Sequence, residues 1–431
     1  MQRVLSFQMA RGFSESSEFV TKRMCFSFIF SVGFLCLLCG FLLGRFATQR
    51  AIEFRAEKKR LEFAGNGLEN TEHLQHLLHE QLERAPLDPD FETKWELFNV
   101  GENDVRRVNG ILSNLSLIHK IIEHESYIAA IARGSREPDR YVVLSASGEG
   151  VGIVLELAKT LNHIQGEHRW KPRRSIIFCL FSGFSNPCSE ILSTFMRNKV
   201  IAYIVIHHQA LQGRGPFIVS GSDIVQSVVL ESATTVKNWL SYNSQLLSLN
   251  NVSHNVTISR LTLDTPHVVL SFMNNNSTYT ENDHERELRK IILAQVLGQT
   301  IWKLSECLVT KWNPSYFNET VSTALGFINN TELVETKVKI QETVVKLLNN
   351  IKLLNEKIDT IDNINTLETR ILNDFLMDLD RTLLCPDNKL QSRTNWSEFL
   401  KLSHEPFNII SMYLNEMVKC YEIAIQLLQD R

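Results

Sequence analysis

"RRSIIFCLFSGFSNPCSEIL", residues 173–192, decides the fold. The apolar run from Ser175 to Phe181 is too short for a core helix and is rich in β-branched and aromatic side chains, so a strand buried on both faces is expected. Arg173 and Arg174 lead into it, and Gly183, Phe184, Ser185, Asn186 and Pro187 lead out. In an open α/β sheet the loops at the carboxyl ends of the strands are where binding and catalytic groups gather. No carboxylate follows this strand until Glu190. The stretch therefore has an enzyme's architecture and leaves open where any chemistry sits.

The surrounding chain repeats the pattern. "RYVVLSA" (140–146), "VIAYIVI" (200–206) and "HVVLSF" (267–272) read as further strands. Val151, Val154, Ala158 and Leu161 recur at helical spacing after the first. Ile224, Val225, Val228, Val236 and Leu240 mark a later helix with Ser222 as its expected N-cap. Strands alternating with helices predict an α/β sandwich with a mostly parallel sheet over residues 125–310. After Trp312 the periodicity is purely helical. Val344, Leu347, Ile351, Leu354, Ile358 and Ile361 alternate steps of three and four, a seam too short for a free coiled coil. It predicts a helical bundle over 311–431, ending in an amphipathic helix from Phe407 to Leu428, with a partner subunit as the other surface that could face the seam.

Toward the amino terminus, residues 24–44 ("MCFSFIFSVGFLCLLCGFLLG") carry no charge. A helix of that length covers about 30 Å, the thickness of a bilayer's hydrocarbon core. A buried helix or a cleaved signal peptide is the competing reading; the run is apolar on every side and longer than a signal peptide's apolar region, which favours a signal anchor. Four basic residues precede it and six lie in 45–60, so charge bias leaves the orientation open. Residues 45–124 read as stalk and linker, with "APLDPD" (85–90) ending a charged, leucine-bearing helix. His73, His76 and His79 recur three apart within it; without an acidic or cysteine partner at fixed spacing they read as a solvated face.

The chain has 431 residues, 44% hydrophobic and 22% charged, with a net charge of −3. This suits folded domains and offers no basic stripe for nucleic acid. Of eight cysteines, Cys25, Cys36 and Cys39 fall in the span. The remaining five contain no CxxC pair, which argues against a disulfide scaffold while leaving one or two bridges open. Cys25 is a lipidation candidate against the plainer reading of an apolar filler. Glycosylation sequons begin at Asn114, Asn251, Asn255, Asn275, Asn276, Asn318, Asn329 and Asn395, all after the span. No G-x-S-x-G elbow occurs, which disfavours a serine hydrolase.

One set of residues carries a resemblance. Glu137-Pro138-Asp139 and Tyr141 enter the first strand, and Trp170-x-Pro172-Arg173-Arg174 the second. Ala202-Tyr203-Ile204, "GPFIVSGSDIV" (215–225), "STYTENDHEREL" and "LGQTIWKLSE" follow in order. Over residues 125–431 the chain resembles the transferrin receptor and glutamate carboxypeptidase family, type II membrane glycoproteins built on a zinc-aminopeptidase fold. The resemblance implies a cytosolic tail (1–23), a transmembrane signal anchor (24–44), a stalk and linker (45–124), a peptidase-like domain (125–310) and a helical, dimerisation-like domain (311–431). It also implies a homodimer at the plasma membrane or in the secretory pathway. The family's large apical domain has no counterpart in the ninety or so residues between span and first strand.

The resemblance further implies where two zinc ions and a general base would sit, and there this chain departs. Ser147 stands where the enzymes have the His of a His-x-Asp strand end, and the loop bearing a bridging Asp has no counterpart. Phe184 and Ser185 replace an adjacent Glu pair, His207 replaces an Asp, and the final His aligns near Met273. Serine, phenylalanine and methionine are poor substitutes for hard-cation ligands. His207-His208 with Glu149 is the remaining metal candidate, although adjacent strand side chains point to opposite faces. His284 in "NDHERE" reads as a solvated helix start. The expectation is a non-catalytic, receptor-like or interaction protein without cofactor, whose protein ligand the sequence does not name. The alternative is a zinc metallopeptidase with rearranged ligands.

Overall fold

The computed structural model describes residues 2–64, 71–84, 102–181, 187–188, 192–206, 210–213, 215–236, 265–272, 283–326, 331–360, 366–383 and 407–430. The amino-terminal helix α1 (Gln2–Ala64) is unbroken. Between Met24 and Arg55 it is long and apolar enough to cross a membrane, alone in this among the described residues, with none of its strongest window buried against protein. Phe26, Phe30, Leu37 and Phe41 are all exposed, as a surface facing lipid would require. The helix does not stop at Gly44, so the end of the expected span is no break in the backbone.

The following elements are α2 (Thr71–Arg84), α3 (Glu102–Ser113), β1 (Lys120–Glu123), β2 (Tyr127–Ala132), β3 (Glu137–Ser147), α4 (Gly150–His168) and β4 (Arg174–Phe181). Next come α5 (Thr194–Arg197), β5 (Val200–Ile206), β6 (Phe217–Gly221), α6 (Asp223–Thr234), β7 (His267–Phe272) and α7 (Asp283–Glu306). The seven strands form one sheet in the order β1-β2-β4-β3-β5-β7-β6. Its centre, β4-β3-β5-β7, is parallel, as the strand–helix alternation predicts. Antiparallel pairs flank it on both sides, so the sheet as a whole is mixed. Period-two alternation divides the strands between two cores. Val142, Leu144, Ile176, Phe178, Ile204 and Leu270 face α4, α6 and α7, while Val143, Ile177, Tyr203 and Val269 face Cys188, Leu192 and Met196.

Part of the expected stalk belongs to this domain. Leu74, Leu78 and Leu82 of α2 are buried, as are Val108 and Leu112 of α3. Leucines four apart make one apolar stripe, which docks on α7 and α4, with Gln75 donating to Gln299 at 2.5 Å. His73 and His76 are exposed as the solvated-face reading expects, but Glu80 stands 3.6 Å from His76 and His79 is half-buried.

The carboxyl-terminal helices are α8 (Ser315–Gly326), α9 (Val334–Thr360), α10 (Thr366–Leu383) and α11 (Phe407–Gln429). Val344, Leu347, Ile351, Leu354 and Ile358 are all buried. The seam of α9 packs against α11 of the same chain, in one core with Tyr413, Met417 and Tyr421. Ile361 lies outside the described residues.

Candidate functional site

At the carboxyl end of the sheet, Ser147 closes β3 beside Phe181 of β4 and is buried. Gly148 follows at φ 55°, the left-handed region that glycine enters without steric cost. Glu149 then leads straight into α4 at Gly150, where a Cβ would stand 2.7 Å from Ile206 Cγ2 at the end of β5. The strand thus becomes a helix within two residues, which leaves no ligand-bearing loop between them. The Glu149 carboxylate accepts from the Arg286 guanidinium of α7. Phe184, Ser185, His207, His208 and Met273 lie outside the described residues, as does the side chain of His284. Among the described residues no three His, Cys, Asp or Glu gather as a metal-holding group. A buried serine hydroxyl and a carboxylate engaged by arginine do not fit the donor set of a two-zinc centre, which needs several carboxylates and imidazoles.

The stretch 173–192 is closed by a covalent bond. Cys179 on β4 and Cys188 beyond it form a disulfide, both residues buried on the sheet face that Val143 and Tyr203 share. The five cysteines outside the span left such a bridge open without identifying it. Neither Cys307 nor Cys420 takes part in a disulfide.

The opposite, amino-terminal end of the strands carries a buried ionic cluster. Arg173 donates from Nε and Nη2 to Glu137 Oε1 at 2.9 and 2.7 Å, and Arg174 Nε donates to Oε2 at 3.0 Å. Arg174 also donates to the carbonyls of Leu304 and Leu308, at the carboxyl end of α7 where a cation is favoured. Glu306 completes the group by accepting the Arg173 backbone N–H at 2.9 Å. Burial pushes the Glu137 carboxyl up, but the Arg174 and Arg173 guanidiniums outweigh it and hold the group below the ordinary carboxylate range. For Glu306 burial wins over the same arginines and raises it to about 8. One carboxylate therefore serves two guanidiniums at neutral pH, with Glu306 protonated.

The same corner joins sheet and bundle. Arg370 of α10 donates to Asp139 at 2.6 Å, and Arg140, itself buried, binds Asp374. Glu137, Asp139, Arg140, Arg173, Arg174 and Glu306 are thus all engaged in holding elements together. Their presence in the recognisable stretches of sequence has a structural cause, and their pairing was not readable from spacing because the partners are remote.

Of the sequons, Asn114 in the turn after α3 and Asn318 on α8 are exposed; the other six asparagines lie outside the described residues. Ser116, the third residue of the first sequon, donates its hydroxyl to Asn162 at 3.0 Å. Cys25 is exposed on α1.

No family model matches the chain. It is 27% identical over 213 residues to transferrin receptor protein 1 of Gallus gallus, covering 40% of this chain and 27% of that protein. It is 25% identical over 338 residues to a probable glutamate carboxypeptidase of Arabidopsis thaliana, covering 66% of this chain and 48% of that protein. The chain thus spans less than half the length of either relative. Among solved structures, a zinc aminopeptidase from Bacillus subtilis is 13% identical with a TM-score of 0.31, over 42% of this chain and 52% of that one. A peptidase M28 precursor from Shewanella amazonensis is 19% identical with a TM-score of 0.27, over 44% and 46%. By sequence the chain is similar to the transferrin receptor and glutamate carboxypeptidase family, and its own fold is an α/β sheet domain followed by helices.

Proposed function

We propose that the chain is a non-catalytic, single-pass type II membrane glycoprotein whose peptidase-like part serves a receptor-like or protein-interaction role. The observation that carries this reading is the turn Ser147-Gly148-Glu149. A buried hydroxyl occupies the strand end, the helix follows at once, and the one carboxylate is engaged by Arg286. A metallopeptidase needs open coordination positions and a free general base at such a site. The buried network at the other end of the strands supports retention of the scaffold for its surface. The span within α1 anchors the chain, and the similarity to transferrin receptors supports a carboxyl-terminal part outside the cytosol and assembly as a homodimer.

The deciding experiment is elemental analysis of the full chain purified in detergent, with an exopeptidase assay on the same sample. Substoichiometric zinc and no peptide cleavage are expected. Near-stoichiometric zinc with cleavage abolished by chelation would instead establish a metallopeptidase with rearranged ligands. Removal of N-linked glycans should increase the mobility of the chain expressed in eukaryotic cells, and Asn114→Gln and Asn318→Gln should each reduce that shift; no shift at all would contradict the proposed orientation.

A further inference from the structure

The amino-terminal end of the sheet carries an exposed basic surface that the fold assembles from three separate segments. Lys120 opens β1 and pairs in register with Ile131 of β2, just before Arg133. The turn from β2 to β3 holds Arg133 and Arg136, and the turn from α4 to β4 holds Arg169 and Lys171; all five residues are exposed. The two turns are fastened together. Gly134 donates its N–H to Ser175 Oγ at 3.0 Å, Ser135 donates to the Pro172 carbonyl at 2.8 Å, and Arg136 to the Arg173 carbonyl at 3.1 Å. A Cβ on Gly134 would stand 2.7 Å from the Arg173 and Arg174 backbone, so glycine is what lets the turns approach this closely. Because β1, β2 and β4 are neighbours, the cations form a row about 10 Å across at the level of the backbone.

The acidic groups beside this row are engaged. Glu167, near the end of α4, stands 3.3 Å from His163 and 3.9 Å from His168, and Asp139 is taken up by Arg370 and Arg140. Beneath the row Arg173 and Arg174 share Glu137 as one ionised carboxylate, so the buried layer adds positive charge instead of cancelling it. Lys120, Arg133, Arg136 and Arg169 form no ion pair among the described residues. Arg169 also has the one positive φ of a non-glycine residue among them, 53°, where α4 terminates. Glycine or asparagine is usual there, and the arginine accepts backbone strain that no hydrogen bond of its side chain offsets. Trp170 is buried and stacked on Trp302, while Arg169 and Lys171 on either side of it turn outward.

No large apolar side chain is exposed among the described residues from 102 to 188. The row therefore lacks both the apolar face that enters a membrane surface and the exposed aromatics on which single-stranded nucleic acid stacks. What it offers is cationic groups spaced along a line, three of them guanidiniums whose forked donors fit oxyanions. Anionic groups repeated along a polymer match that spacing better than one small anion does. We propose that this end of the sheet binds a sulfated polysaccharide, with Lys120, Arg133, Arg136, Arg169 and Lys171 taking its sulfate groups. The proposal rests on the reading that the sheet domain lies outside the cytosol, where such chains are found. It gives the receptor-like role a ligand class and places the binding surface at the end of the strands opposite Ser147.

Binding of the full chain, purified in uncharged detergent, to immobilised heparin at about 0.15 M salt tests this. Wild type should be retained, with an affinity that falls as salt rises. Arg133→Ala/Arg136→Ala should weaken binding about tenfold and lower the log–log salt slope by about 2, one for each charge removed. Arg169→Gly, which relieves the backbone, should weaken binding about threefold without lowering thermal stability, so that its loss cannot be put down to misfolding. Lys346→Ala/Lys352→Ala removes the same charge from the exposed side of α9 and should leave binding unchanged. Unchanged affinity in Arg133→Ala/Arg136→Ala would overturn the proposal, as would an equal loss in the α9 variant or equal binding of chemically desulfated heparin. Phosphatidylserine added to the micelle that competes as well as free heparin would also overturn it, by assigning the row to lipid headgroups. Because the purified chain is measured without a membrane to orient it, failure here leaves the glycan-shift test of orientation standing.

Discussion

The two ends of the central strands, roughly 30 Å apart along β3, meet opposite demands. At the amino-terminal end Glu137, Arg173, Arg174 and Glu306 are buried and joined by short bonds to one another and to the end of α7. At the carboxyl-terminal end a serine and a glycine turn straight into a helix, and Glu149 pairs with Arg286. The first end makes the scaffold and the second would make the chemistry. Their separation means that the residues by which a fold is recognised can persist while those that would perform a reaction change. Similarity carried by the first end says nothing about activity at the second.

The largest expected effect tests the first end. Glu137→Ala strands two buried guanidiniums and should cost about 3–5 kcal/mol in chemical denaturation, the usual penalty for removing one partner of a buried pair. A loss below about 1 kcal/mol would show the cluster to be ornamental. Next comes the covalent tie beyond β4. Cys188→Ser opens a loop with a sequence separation of 9 and should cost roughly 2.5–3 kcal/mol.

Glu306 gives a smaller, pH-dependent effect. Its carboxyl is raised to about 8, so its contribution is whole below the ordinary glutamate value and is lost as pH rises through about 8. Glu306→Gln keeps an oxygen for the Arg173 N–H and should flatten this part of the pH–stability curve. Above pH about 8 the variant should gain on the order of 1–3 kcal/mol over wild type, and an unchanged slope would refute the assignment. The smallest effect belongs to the other end. Glu149→Gln should cost about 1 kcal/mol or less and leave metal content unchanged, since the partly exposed pair with Arg286 is its role. A change in bound zinc would move Glu149 from scaffold to site.

Much of the fold was legible because the central strands are continuous apolar runs, which only a sheet buried on both faces produces. β2, "YIAAIA", escaped because half its residues are alanines, and β1 because it is short and half-exposed. The docking of α2 escaped too, since its histidines, glutamines and glutamates outnumber the three leucines that dock it. The site was legible only as substitutions at Ser147, and at positions 184, 185, 207 and 273 outside the described residues. The roles of Glu306 and of Asp380, which accepts the backbone N–H of Ile224, were illegible. Each depends on a partner 133 or 156 residues away, and no local pattern encodes such a distance. Ser222 shows the converse: its capping pattern was correct by local rules, but it makes no capping bond and its hydroxyl accepts the His267 backbone N–H of β7.

The Cys179–Cys188 bridge also works as a compass. Basic residues on either side of the span balance too closely to orient the chain, but thiol chemistry differs sharply across a secretory membrane. Cytosolic glutathione keeps ordinary cysteines reduced, whereas the lumenal and outer faces let them pair and stay paired. A disulfide buried in the sheet domain therefore supports the proposed placement of that domain outside the cytosol, from redox potential instead of charge.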